Sequence, residues 1–196
     1  MYPLVESLRA ENGKLFLLDY HQRRMEKSYR HWFGQSCPFD LRKAIELPKQ
    51  EGEHKVRFLY NAGEYATEVQ AYKKREIKTL KLVEIGDFSY RFKSTNRTAI
   101  DAAFAQRGQC DDVLLIKEGQ LTDLSYANLL LWDGQFWVTP ARPLLEGVQR
   151  QFLLDQKKIM PKTLSVHDLR NYTHFQWINA LNPFDPEKRI SLEIEE

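Results

Sequence analysis

Leu121-Thr-Asp-Leu-Ser-Tyr-Ala-Asn-Leu-Leu-Leu-Trp132 is the stretch on which the reading of this chain turns. It places an acid, Asp123, inside an otherwise apolar segment and follows it with Asn128 and a strand-like run. Asp133-Gly134 is a hairpin-type turn signal, and Phe136-Trp-Val-Thr-Pro140 reads as the returning strand. Pro143-Leu-Leu-Glu-Gly-Val-Gln-Arg150 then starts a helix near Gly147, whose backbone N–H groups suit an anion such as a phosphate. The order is carboxylate, asparagine, strand, turn, strand, glycine, helix.

Upstream, Tyr90-Arg-Phe-Lys-Ser-Thr-Asn-Arg97 sets Lys93 between aromatic residues and ahead of a helix start at Thr95 or Asn96. Lodged against Tyr90 and Phe92 and facing Arg97, its amine would be held partly neutral by desolvation and like charge, which makes Lys93 a Schiff-base candidate. An amine, an acid and an anion hole are the three groups that pyridoxal 5'-phosphate requires. The amine bonds the aldehyde, the acid keeps the pyridine nitrogen protonated, and the helix end takes the phosphate.

These segments resemble the class IV aminotransferase family of pyridoxal-phosphate enzymes, fold type IV, in the family's own order. Val5-Glu-Ser-Leu-Arg9 with Asn12-Gly-Lys-Leu-Phe16 resembles its first strand and hairpin. His21-Gln-Arg-Arg-Met25 resembles its His-x-x-Arg-Leu segment, whose arginine holds the cofactor phosphate, here Arg24. The resemblance further implies that Lys93 is the Schiff-base lysine and Asp123 the carboxylate facing the pyridine nitrogen. Asn128 matches the asparagine five residues after that acid, and Leu145 the leucine packed on the ring. Gly147, Val148 and Gln149 fall on the backbone phosphate cup. Asn179-Ala-Leu-Asn-Pro183 resembles a late loop on the substrate side, so Ser7, Asn179 and Ala180 are substrate-binding candidates by position.

Within the family, Lys93-Ser-Thr-Asn-Arg97 and Asn179-Ala-Leu181 are similar to 4-amino-4-deoxychorismate lyases, which release pyruvate and 4-aminobenzoate in folate synthesis. An aminotransferase acting on branched-chain or D-amino acids is the alternative. A third reading is a catalytically reduced member with a binding role. Three departures from the family pattern bear on the pocket. Asp123 stands where the family usually has glutamate, the chain begins directly on the Val5 strand, and it stops soon after Asn179. The implied fold is α+β, two-domain and D-amino acid aminotransferase-like, shortened at both ends, and the implied assembly is a homodimer.

Composition is that of an ordinary globular chain: 196 residues, 42% hydrophobic and 29% charged, enough to bury a core. A net charge of +2, evenly spread, gives no argument for nucleic-acid or membrane partners, and the resemblance implies a small-molecule amino substrate. No apolar run reaches transmembrane length and no signal-peptide pattern opens the chain, so a cytoplasmic location is expected. Cys37 and Cys110 are far apart and near no histidine pair, so reduced thiols are expected and no metal site. No role is assigned to any histidine.

For the elements, Leu15 to Asp19 reads as a strand end, with Asp19 capping a helix whose Met25, Tyr29, Trp32 and Phe33 form core. Leu41 to Leu47 reads as a short helix, and Lys55 to Tyr60 with Tyr65 to Tyr72 as a hairpin around Asn61-Ala-Gly63. Thr79 to Ile85 reads as a strand, Thr98 to Arg107 as a helix, and Gly147 to Lys158 as a helix closed by Pro161. His167-Asp168-Leu169 opens a short helical stretch in which the aspartate is a cap. Two domains are expected, an N-terminal α/β domain at 1–76 and a C-terminal α+β domain at 77–196 carrying Lys93, with the cofactor in the crevice between them.

Overall fold

The computed structural model describes residues 1–47 and 51–195. The chain divides into two compact units, Met1–Lys74 with Phe92–Asn96, and Arg75–Arg91 with Arg97–Glu196. Lys93, expected with the C-terminal domain, therefore lies in the first unit. Backbone pairing explains this: Val5 N donates to Lys93 O at 3.0 Å, Thr95 N donates to Pro3 O at 2.8 Å, and Ser94 bridges to Leu4. The segment after Arg91 is thus an added partner for the start of the first strand.

In the first unit, β1 (Leu4–Glu11), β2 (Lys14–Leu15), β3 (Glu53–Tyr60) and β4 (Tyr65–Ala71) form an antiparallel sheet in the order β2-β1-β3-β4. Asn12 and Gly13 both have positive φ, +48° and +74°, as a two-residue hairpin turn of the right twist requires. At the β3–β4 turn, Asn61 Oδ1 accepts from the N–H groups of Gly63 and Glu64. Strand alternation sends His54, Val56, Phe58 and Tyr60 inward from β3, and Leu4, Glu6, Leu8 and Ala10 inward from β1.

Helix α1 (Leu18–Phe33) covers that face with Met25 and Tyr29. Of the Leu15 to Asp19 stretch only Leu15 ends a strand: Phe16 N bonds Arg9 O, and the chain turns into the helix through Leu17 at φ +53°. Asp19 lies in the first turn rather than at the cap, where its charge still suits the helix dipole. Trp32, expected in the core, is 45% exposed. Helix α2 is a single turn, Leu41–Ala44, capped by Asp40, whose Oδ1 accepts from Arg42 N.

The second unit contains β5 (Thr79–Glu84), α3 (Thr98–Ala105), β6 (Asp112–Lys117), β7 (Gln120–Leu124), β8 (Asn128–Trp132), β9 (Trp137–Pro140), α4 (Val148–Asp155), β10 (Met160–Lys162), β11 (His174–Ile178), β12 (Ile190–Ser191) and β13 (Glu193–Glu195). Strands run β10-β9-β8-β7-β6-β5-β13, with β11 also on β8 and β12 on β11. Pairing is parallel for β9–β10, β5–β6 and β5–β13 and antiparallel elsewhere.

Leu129, Leu130 and Leu131 of β8 are fully buried. Leu129 and Leu131 pack with Leu114, Leu121 and Phe175, and Leu130 with Trp137, Leu153 and Ile178. A strand buried on both faces accounts for the unbroken apolar run that follows Asn128. Helix α3 starts at Thr98 and not at Thr95 or Asn96. Pro161 pairs within β10 beside β9, so it sits in an edge strand. Asp168 completes a capping box with Ser165, accepting from its N and Oγ at 2.7 Å. Among the described residues no helix is long and apolar enough to cross a membrane.

Candidate active site

Asp123 and Asn128 are direct partners across the β7–β8 hairpin, so a spacing of five residues becomes a side-chain pair on one face. Asn128 Nδ2 donates to Asp123 Oδ1 at 2.7 Å and to Leu145 O at 2.9 Å, while Leu145 N donates to Asp123 Oδ2 at 2.9 Å. The loop leading into α4 is therefore stitched to the Asp123–Asn128 pair through the backbone N–H and C=O of one residue, Leu145. Asp123 is buried, and burial pushes its carboxyl up to about 6, against the pull of the Leu145 and Asn128 hydrogen bonds and of the Arg150 charge.

Gly147 caps α4 without a side-chain cap, and a Cβ there would lie 2.0 Å from Asn128 Oδ1. Only glycine lets the helix start come this close to the Asp123–Asn128 pair. By helix geometry the first-turn N–H groups of Val148 and Gln149 have no intrahelical acceptor. In the same turn Arg150, which sequence reading passed over, is buried, donating through Nε to Thr139 Oγ1 at 3.3 Å and through Nη2 to Pro140 O at 2.9 Å. Nothing in its sequence context distinguishes it from a solvated helix arginine.

The first unit holds the second group of candidates. Arg24 on α1 donates from Nε to Glu6 Oε1 at 2.9 Å and from Nη2 to Glu6 Oε2 at 2.5 Å, and His21 Nδ1 lies 2.6 Å from the same Oε2. Glu6 and His21 were both missed. The signal was present for Glu6: it falls in the inward register of β1, among Leu4, Leu8 and Ala10. Burial alone would raise the Glu6 carboxyl, but the Arg24 charge and the His21 hydrogen bond outweigh it and hold it down at about 2. His21 is shifted down from its ordinary value by burial, against Glu6 and with help from the charges of Arg24 and Lys93.

The flanks of Lys93 separate. Phe92 stacks on His31 at 4.2 Å in the first unit, whereas Tyr90 packs near Phe88 in the second. Arg97, expected to face Lys93, belongs to the second unit, where its Nη2 donates to Ser125 O at 2.8 Å and its guanidinium lies 3.8 Å from the Tyr126 ring centroid. Ser7 is half-buried on the face of β1 opposite Glu6. The Asn179 side chain is occupied locally: Oδ1 accepts from Leu181 N and Asn182 N, and Nδ2 donates to Tyr126 O. Ala180 beside it is half-buried.

Comparison with known proteins places this arrangement. Residues 3–186 match the model of the amino-transferase class IV family. The chain belongs to that family. It is 39% identical over 186 residues to an uncharacterized protein of Haemophilus influenzae, covering 93% of this chain and 99% of that one. A crystal structure from Haemophilus somnus 129PT, provisionally named a 4-amino-4-deoxychorismate lyase, superposes with a TM-score of 0.89 at 34% identity, covering 94% of this chain and 98% of its own. A hypothetical aminotransferase from Mycobacterium tuberculosis, solved in a form bound to pyridoxal phosphate, shares the fold with a TM-score of 0.80 at 16% identity, covering 99% of this chain and 81% of that one. The class IV chain described here thus has the α+β architecture of fold type IV enzymes.

Proposed function

We propose that the protein is a pyridoxal-phosphate enzyme, a 4-amino-4-deoxychorismate lyase that releases pyruvate and 4-aminobenzoate. The observation that carries the cofactor reading is the clamp on Asp123: a buried carboxylate with each oxygen held by a neutral donor and its ionisation still opposed by burial. A protonated pyridine nitrogen is the cation such a carboxylate lacks. The rest of the donor set fits as well. The Val148 and Gln149 N–H groups and the Arg24 guanidinium suit a phosphate dianion, Gly147 keeps the helix start open, and Lys93 offers a primary amine. Leu145, whose N–H and C=O bond Asp123 and Asn128, would pack on the ring.

When bound, pyridoxal phosphate supplies a ring that takes up the electron pair left when the substrate carbon loses its proton. Lys93 Nζ would hold the cofactor aldehyde, and as a free amine it would be the base for the proton on the substrate carbon that bears the amine. Asp123 holds the pyridine proton in place, and Asn128 and the Leu145 peptide hold Asp123. Loss of the enolpyruvyl group as pyruvate leaves an aromatic ring, which drives the lyase direction.

The lyase is supported over an aminotransferase by Lys93-Ser-Thr-Asn-Arg97, by Asn179-Ala-Leu181 and by the 34% identity to the Haemophilus somnus protein. A cytoplasmic homodimer, in which the partner completes each site, is part of the proposal. The Asn179 side chain is committed to Leu181, Asn182 and Tyr126 and its backbone to Asn182, so Asn179, like Ser7 and Ala180, is a substrate candidate by position.

The test is 4-amino-4-deoxychorismate, generated in situ, given to the cofactor-loaded protein while 4-aminobenzoate and pyruvate are followed together. Equal amounts of both, lost in Lys93→Ala, are expected. No 4-aminobenzoate, with amino acids converting the cofactor to its amine form, would assign an aminotransferase instead. Neither reaction would leave the binding role.

A further inference from the structure

The buried trio on β1 and α1 contains more than Arg24 requires. Glu6 and Arg24 alone make a two-bond ion pair. The structure adds His21, fully buried one helical turn before Arg24 on the same face of α1, with Nδ1 on Glu6 Oε2 at 2.6 Å and no hydrogen-bond partner for Nε2 among the described residues. A leucine would fill that space without leaving a polar atom desolvated.

The charges say which form the ring takes. Glu6 is already neutralised by Arg24, and a protonated His21 would be a second desolvated cation within the fields of Arg24 and Lys93. His21 is therefore a neutral donor, with the proton on Nδ1 and the lone pair on Nε2. Its hydrogen bond stops Glu6 from turning about its side-chain axis, and Glu6 in turn holds the guanidinium edge formed by Nε and Nη2.

We infer that His21 is a positioning residue that acts through Glu6 to aim the Arg24 guanidinium at the phosphate of an anionic ligand. The inference rests on the proposed phosphate role of Arg24. It gives a fully buried, neutral imidazole a share in the affinity contributed by phosphate, as distinct from the rest of the cofactor.

The test compares binding of pyridoxal phosphate with binding of dephosphorylated pyridoxal, by spectroscopic titration of the purified full chain. His21→Leu removes the donor and should cut the preference for the phosphorylated form about tenfold. His21→Asn, whose amide N–H stands where Nδ1–H stood, should keep the preference within about threefold. His21→Gln, which keeps volume but carries its donor to the Nε2 position, should behave as the leucine variant does and serves if that variant does not fold. A folded leucine or glutamine variant with unchanged preference overturns the inference. So does an equal weakening of both ligands, which marks a merely structural role. Arg24→Gln is the control: if it leaves the preference intact, the phosphate role of Arg24 has failed, and if it abolishes the preference while the His21 variants do not, only the role of His21 has failed.

Discussion

Asp123 shows how a residue can be legible in chemistry and illegible in setting. An acid inside Leu121 to Trp132, five residues before Asn128, could be picked out from the sequence, but the donor that holds its second oxygen is the Leu145 peptide, which only the folded loop supplies. Its raised value has a definite sign. A carboxyl shifted up favours the folded chain fully below the ordinary 3.8, and that advantage is lost as pH rises from there through about 6. A cation bound against it reverses this, so cofactor affinity should strengthen as pH rises through that value. The checking measurement is the difference between the wild-type and Asp123→Asn affinity profiles, and identical profiles would remove the pyridine-facing role. Gly147→Ala tests the close approach beside it. With a Cβ only 2.0 Å from Asn128 Oδ1, the substitution should cost about 1–3 kcal/mol of stability and weaken cofactor binding together, read by thermal unfolding and titration. A variant as stable as the parent would show that the loop gives way freely.

At the scale of elements, turns were read well because their signals are local. Asn12-Gly13, Asn61-Ala-Gly63 and Asp133-Gly134 all sit at hairpin turns. Starts and stops set by tertiary contact were not. The first long helix begins after Leu17 without a capping side chain, and Pro161 joins an edge strand that no periodicity announces. The docking of α1 on β1 hides its ionic core for the same reason: alternation puts Glu6 on the inward face, but its partners Arg24 and His21 are brought to it only by the packing of the helix. Glu6 should therefore dominate acid stability in this unit. Its carboxyl is held down, so its contribution is complete above the ordinary 4.5 and is lost as pH falls toward about 2. Glu6→Gln, by stripping Arg24 of its counter-charge, should cost about 3–5 kcal/mol at neutral pH and remove the unfolding component in that acid window. Urea titrations from neutral pH down to pH 2 would check both, and an unchanged acid limb would contradict the assignment.

For the whole molecule, the family order from Val5 to Pro183 could be followed along the sequence, and the architecture agrees with it. The division of the chain could not be followed in the same way. Lys93 stands in the sequence between elements of the second unit, yet its own segment pairs with β1 through Pro3, Leu4 and Val5. Three backbone contacts across some ninety residues leave no periodic trace, because pairing of this kind is encoded in backbone groups that every residue carries. Lys93 nevertheless has one task in the proposed function that no other lysine in the chain shares. Borohydride reduction of the cofactor-loaded protein, followed by peptide mapping, tests it most directly. A single pyridoxyl adduct on Lys93, absent in Lys93→Ala, is the predicted result, and an adduct on another lysine, or none at all, would contradict it.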